Sequence, residues 1–301
     1  MTLPVTVVVL TWNEERNLDA CLASVAGWAR AVFVVDSGST DATVRIAEAR
    51  GAIVVTHAFE THARQWAWAL EHVSIGTAWV LGLDADQRVT PELAVELAHV
   101  LSRPSTDGPR GYFIKRRQVF RGRWIRHGGY YPKYLLKLFR RDAVRVDLAD
   151  LVDHHFEVAG PTGKLRSDLI EDNRNEGEIE AWTAKHNRYA VLQARQELAE
   201  ATAARVGVGS LWGSPDDRTR WLKQTWRGLP LFVRPTLYVF YRYVLRLGFL
   251  DGKEGFLFHV LQAFWYRLLV DANIDELKTA GRVDLDRPRR VVPRPVDTPE
   301  A

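Results

Sequence analysis

The stretch "VLGLDADQRVTPEL", residues 80–93, carries the reading of the whole chain. Its first four residues are apolar and end abruptly in Asp84 and Asp86, one residue apart. Thr90 and Pro91 then supply an N-cap and the first position of a helix. A buried strand that stops on two acids and hands over to a helix is one unit of a βαβ alternation. The question is what the acids meet.

Working outward, "VTVVVL" (5–10), "AVFVVD" (31–36), "AIVVT" (52–56) and "AWVLGLD" (78–84) are short runs bounded by polar residues. Val-rich runs of this kind are strands covered on both faces of a parallel sheet. Segments 15–26, 40–50, 61–73 and 91–101 carry apolar residues at helical spacing between them. The spacing predicts an α/β fold with a doubly wound sheet. Residues 110–175 change character: "GYFIKRRQVF", "KYLLKLFRR" and "LVDHHFEV" are broken by Gly, Pro and basic residues, which predicts a mixed extension. From about 178 the pattern is helical, with one long helix to about 205, a loop over 207–217 and aromatic-rich segments at 229–250 and 254–272. The organisation expected is a catalytic domain over 1–175 with halves 1–101 and 102–175, a helical region over 176–282 and a disordered tail over 283–301.

The chain of 301 residues is 47% hydrophobic and 26% charged, as in ordinary globular proteins. One cysteine, Cys21, excludes an internal disulfide framework, and no secretory signal is evident, so a cytoplasmic setting is expected. The net charge of +4 hides two basic stretches. From Arg110 to Arg145 there are twelve Lys or Arg and one acid; from Arg218 to Arg246 there are seven and none. Such stretches suit phosphate-rich partners or are simply solvated faces. Segment 229–250 carries Arg234, Arg242 and Arg246, and segment 256–270 is short and includes Arg267, so neither reads as a membrane span. Cations beside Trp and Tyr suit helices lying in the headgroup layer, which makes an anionic membrane surface an expected partner, on the inner face of the cytoplasmic membrane. The competing reading is a helical subdomain packed on the catalytic domain or on another copy.

Three loops fall at the carboxyl ends of strands, where open α/β sheets bind ligands: "TWNEE" (11–15), "DSGSTD" (36–41) and "DADQ" (84–87). No G-x-G-x-x-G or G-x-x-x-x-G-K-[ST] follows a strand, which argues against NAD and P-loop sites. "DSGSTD" alone is explained by a glycine turn and a helix cap, or by a strand-tip Asp that accepts from a base or ribose. If the chain turns at Ala85, Asp84 and Asp86 face one cleft and suit Mg²⁺ or Mn²⁺ bound together with substrate phosphates. In "RWIRHGGYYPKY", Arg126, His127 and two tyrosines could form an acceptor or diphosphate wall, or Gly128–Gly129 could simply make a turn among packed aromatics.

"TWNEE", "DSGSTD", "LDAD" and "GRWIRHGGYYPKYLLKLFRR" (122–141), in that order, resemble the family 2 glycosyltransferases of GT-A fold, and within them the branch of bacterial lipopolysaccharide core β-glucosyltransferases. The resemblance runs from about residue 4 to 250. It implies a GT-A fold, a Rossmann-like, mostly parallel sheet with a mixed extension and a C-terminal helical region. It also implies inverting transfer of a sugar from a nucleotide-sugar donor, usually UDP-linked, to a saccharide or lipid-linked saccharide acceptor, with a divalent cation and without nucleic acid. On this resemblance Thr11, Asn13 and Glu14 line the nucleotide pocket and Asp36 holds uracil or ribose. Asp86 ligates the metal, and Asp84 contacts the ribose or the metal shell. Gln65 matches a donor-binding Gln, although Trp66 stands where relatives carry Lys or Arg, which leaves Arg64 as the cation there. "LVDHHFEV" falls where relatives carry the general base, which points to Asp153 first and His154 second, with Glu171 and Asp172 as further candidates. Arg140, or another cation of the 110–145 stretch, would add to stabilisation of the leaving group.

Overall fold

The computed structural model describes residues 2–102, 108–148, 155–203, 221 and 225–281. Strand β1 (Leu3–Thr11) pairs in parallel with β2 (Ala29–Asp36) on one side and, on the other, with β4 (Trp79–Asp84), while β3 (Ile53–Thr56) extends the β2 edge. Helices α1 (Leu18–Val25), α2 (Thr43–Ala49), α3 (His62–His72) and α4 (Pro91–Leu101) form the connections. Thr61 and Thr90 cap α3 and α4 by accepting from the Arg64 and Leu93 backbone amides, each cap worth about 1 kcal/mol.

The central strands are Val-rich because both faces are covered. Val7, Val9, Leu81 and Leu83 pack into one core with Leu18, Leu22, Leu93 and Leu97. Val8, Val35 and Val80 face the other way onto Trp66, Ala69 and Phe139. Each such side chain, wholly removed from water, stabilises the fold by about 1.5–3 kcal/mol.

Beyond β4 the sheet turns mixed. Strand β8 (Lys133–Arg140) runs antiparallel to β4 and to β6 (Gly111–Phe120), and the short β7 (Arg123–Trp124) lies beside β6. Strand β11 (Thr162–Asp172) is parallel to β6 and antiparallel to the three-residue β5 (Gln87–Val89). The order across the sheet is β3-β2-β1-β4-β8-β6-β11-β5. A small antiparallel pair, β9 (Val144–Val146) and β10 (Phe156–Val158), flanks it.

After the sheet, α5 (Ile179–Ala203) and helices Arg234–Phe240, Gly252–His259 and Tyr266–Thr279 form the helical region, with π-helical turns at Tyr241–Leu245 and Val260–Trp265. Its core joins Ala190 and Ala194 to Tyr266, Val270 and Ile274. Arg234, 2% exposed, is held there by Asp271 at 2.6 Å and Glu197 at 3.1 Å. Trp182 and Phe258 meet Phe120 and Ile125 of the sheet domain, which fixes the helices to it. The predicted loop over 207–217 and the predicted tail over 283–301 lie outside the described residues.

Candidate active site

The sheet changes direction at β1: β2 lies on one side and β4 on the other, so their carboxyl ends open a crevice at a topological switch point. Thr11 pairs with Asp36 across β1–β2, and Leu10 pairs with Asp84 across β1–β4. The three acidic loops read from the sequence therefore share one edge.

Asp36 is 2% exposed and fully engaged by its own surroundings. One oxygen accepts from Thr11 Oγ1 at 3.0 Å and Ser39 Oγ at 2.5 Å; the other accepts from the Gly38 and Ser39 amides at 2.9 and 2.8 Å. Gly38 takes φ +85° to close this turn, a region that disfavours side chains. The carboxylate shapes the loop with all of its acceptor capacity.

The first loop rests on the second. Asn13, itself left-handed at φ 54°, accepts from the Thr40 amide at 2.8 Å, and its own amide donates to Ser39 Oγ at 2.8 Å. Glu14 accepts from Asn17 Nδ2 at 2.7 Å and from Asn175 Nδ2 at 3.0 Å. Burial pushes its carboxyl up to about 7. Asn175 belongs to the turn that leads into α5, so the helical region backs this loop directly.

Gln65 is buried at 1% exposure, bound to His57 Nδ1 at 2.7 Å and donating to Ser37 Oγ at 3.1 Å. It ties β3–α3 to the second loop. Arg64 is exposed and paired with Glu60 at 3.2 Å.

The DADQ loop contrasts with the Asp36 turn. Oxygens of Asp84, Asp86 and Glu171 all lie within 4.8 Å of one another. Glu171 arrives because β11 pairs with β5, placing Glu171 opposite Gln87. Gln87, fully buried, donates to Asp84 at 2.7 Å and to Glu171 at 2.9 Å. Lys137 donates to Asp84 at 2.8 Å, and Arg116 reaches both Glu171 oxygens at 2.9 Å. Asp86 Oδ1, by contrast, is shielded from solvent and has no hydrogen-bond partner among the described residues. Burial, then Glu171 and Asp84, push the Asp86 carboxyl well above the usual carboxylate range. Hard oxygen donors, mutual repulsion and an unfilled buried acceptor are what a site for a divalent cation presents. These residues fit such an ion.

Sequence reasoning misses three contributors. It marks Glu171 only as a candidate base and does not recognise its strand, "TGKLRSDLIED". Lys137 is not singled out within the basic stretch. Lys185 of α5, paired with Glu176, also acts on Asp86 and Glu14 by its charge. On that lysine burial works downward, but Glu176 prevails and raises it.

Arg140 lies away from this cluster. Arg140 pairs in register with Trp79, at the start of β4, whereas Asp84 ends that strand about 17 Å away at 3.3 Å per residue. Because β8 runs antiparallel, its last residue points to the wrong edge, and Arg140 binds Asp142 at 3.1 Å instead. Asp172, the other further base candidate, is paired with Arg88 at 2.8 Å. Asp153 and His154, the expected bases, lie outside the described residues.

The RHGG turn is a docking element. The His127 amide and Nδ1 engage Asp251 at 2.8 and 2.7 Å, while Arg126 lies over Trp124 at 5.4 Å. The Gly128 amide donates to Arg246 O at 2.9 Å, which joins the turn to the chain just before Gly248–Asp251. Gly128, at φ +69°, has no room for a Cβ, which would overlap the His259 ring.

With this geometry in hand, the family model for glycosyl transferase family 2 matches residues 6–157. The chain belongs to glycosyl transferase family 2. The chain is 33% identical over 115 residues to an uncharacterized glycosyltransferase of Rickettsia bellii (strain RML369-C), a match covering 38% of each chain. It therefore spans well under half the length of that relative. It is 28% identical over 206 residues to the lipopolysaccharide core biosynthesis glycosyltransferase LpsC of Rhizobium meliloti (strain 1021), covering 65% of this chain and 72% of that one. Among solved structures, the mannosyltransferase PcManGT from Pyrobaculum calidifontis in complex with GDP-Man and Mn²⁺ is 17% identical, with a TM-score of 0.44, covering 93% of this chain and 76% of that one. A likeness at that level transfers no ligand and no residue role.

Proposed function

We propose that this family 2 glycosyltransferase moves a hexose, with inversion, from UDP-glucose or a similar nucleotide-sugar to a saccharide or lipid-linked saccharide acceptor in cell-envelope polysaccharide or lipopolysaccharide synthesis. The observation that carries the reading is the unfilled Asp86 Oδ1 within three carboxylates at the switch point of the sheet. Asp86, Glu171 and Asp84 would hold Mg²⁺ or Mn²⁺. Such an ion, bound with the donor, would supply positive charge for the departing diphosphate.

The protein's own groups do the rest. The loop of Thr11, Asn13 and Glu14 borders the nucleotide, with the exposed Trp12 ring at its rim. Asp36 and Gln65 keep that loop in shape from behind. Lys137 holds Asp84, and Arg116 holds Glu171, so the carboxylates are fixed before substrate arrives. The acceptor hydroxyl attacks the anomeric carbon opposite the diphosphate and gives its proton to Asp153, or to His154 if Asp153 is replaceable.

Calorimetry of UDP with and without Mn²⁺, on wild type and Asp86→Ala, tests the reading. Metal-dependent UDP binding that Asp86→Ala weakens at least about tenfold is expected. UDP binding indifferent to metal and to Asp86 removes the metal role; no nucleotide binding removes the donor. Release of pyrophosphate instead of UDP during turnover would make the protein a nucleotidyltransferase.

A further inference from the structure

The helical region has two faces of opposite character. Its inner face is committed: Phe258 packs on Phe120, His259 lies against Gly128, and the Arg242 guanidinium stacks over Tyr130 at 3.9 Å. Its outer face is apolar and exposed. Val233, Leu237, Phe240, Tyr241, Val244 and Leu245 are each 41–62% exposed. Their spacing of i, i+4, i+7, i+8, i+11 and i+12 forms one stripe along the helix and its π-helical turn. Leu247, Phe249, Leu250 and Phe256 continue the exposed apolar surface, at 44–50% exposure. Surfaces of this extent on soluble chains mark interaction sites.

Two further observations identify the partner. Bulky residues bracket the stripe in the left-handed region, Phe232 at φ 68° and Leu247 at φ 59°. That conformation is costly for large side chains and persists only where the surroundings impose it. Phe232 is imposed by Asp271, which accepts its amide at 2.8 Å. The exposed charges at the margin are cations, Arg246 and Lys253, whereas the acid Asp251 is 3% exposed and bound to His127 and Glu254 is half-buried. Among the described residues, no helix is long and apolar enough to cross a membrane. An apolar stripe with a cationic margin, too short to span, suits the interface of an anionic bilayer.

We propose that the face running from Val233 to Phe256 seats the protein on an anionic membrane surface. The stripe enters the headgroup boundary, with Arg246 and Lys253 on lipid phosphates. This does not rest on the donor assignment, since vesicle binding requires no nucleotide, and each can fail without the other.

The test is co-sedimentation of the full chain with vesicles of phosphatidylcholine alone and of phosphatidylcholine mixed with phosphatidylglycerol. Wild type is expected to partition onto the mixed vesicles. Leu237→Asp with Leu245→Asp should lower that partition at least about tenfold. Arg246→Glu with Lys253→Glu should lower it about tenfold on mixed vesicles and little on pure phosphatidylcholine. Unchanged melting temperatures and UDP binding in both variants would show that the fold is kept. Absence of wild-type partition, or equal partition by Leu237→Asp with Leu245→Asp, overturns the proposal. So does self-association that this pair abolishes without any vesicle binding, which would make a second copy the occupant.

Discussion

Asp36 and Asp86 sit in neighbouring loops at one edge of one sheet, yet they are opposites. Asp36 accepts four hydrogen bonds from its own turn and from Thr11. Asp86 has a shielded oxygen with no partner among the described residues, and two acidic neighbours. Motif position does not separate them, because both are strand-tip acids. Satisfaction does: a carboxylate filled by its own chain is holding structure, and one left unfilled is waiting for something.

The largest effect should come from Asp86. Asp86→Asn is expected to cut sugar transfer on the order of a thousandfold, followed as UDP release. Without divalent cation the same variant should melt above wild type at pH 8. The sign follows from the raised carboxyl: the folded wild type favours the protonated form, so the stability tied to that proton is present at low pH. It is lost as pH rises through the raised value. Asparagine carries no such charge. Mn²⁺ should stabilise wild type more at pH 8 than at pH 6 and leave Asp86→Asn unmoved. A variant less stable than wild type at pH 8 without cation would break the contrast.

Asp36→Asn should show the reverse. Exchanging a filled carboxylate for an amide sets an NH₂ group against amide and hydroxyl donors, and a loss of about 2–4 kcal/mol in urea denaturation is expected. Wild-type stability in this variant would mean that the turn does not depend on the carboxylate.

The smallest difference compares two cations of one strand. Lys137→Met should lower kcat/KM by about ten- to a hundredfold, because Asp84 loses its buried counter-charge. Arg140→Met should stay within about twofold, as an exposed pair at the opposite edge. Equal effects would refute the placement of the leaving group near β4's carboxyl end.

What is legible in the sequence follows from burial. Strands β1, β2 and β4 carry the buried centre of the sheet, so the residues there have to be apolar, and periodicity finds them, while β3 at the edge is partly exposed. Strand β11 is different. Its charges are engaged by neighbours: Asp168 accepts from Arg117 at 2.8 Å and Tyr131 at 2.9 Å, and its pairing to β6 shifts register between Lys164 and Asp168. A strand satisfied by ion pairs looks like a loop in one dimension. Glu171 is hidden for that reason, and with it the third carboxylate. Arg140 is misplaced because composition marks a basic strand but not which of its ends meets the site. The RHGG motif is visible in one dimension, but its partners Asp251 and His259 are more than a hundred residues away in the chain.

The contact between Gly128 and His259 makes the two halves of the chain hereditary partners. The imidazole, fully buried and pushed down to about 4 by burial and then by Arg242, occupies the space a side chain at 128 would need. A chimera that grafts another relative's terminal helices onto this catalytic domain would have to import the matching turn as well. Shrinking residue 259 would relieve the overlap but not the φ of +69°, so a side chain at position 128 would still carry a backbone cost after compensation. The seam for recombining this protein with its kin is therefore not the junction near residue 175, where the sheet gives way to helices. Any exchange there must carry residues 126–129 along with it.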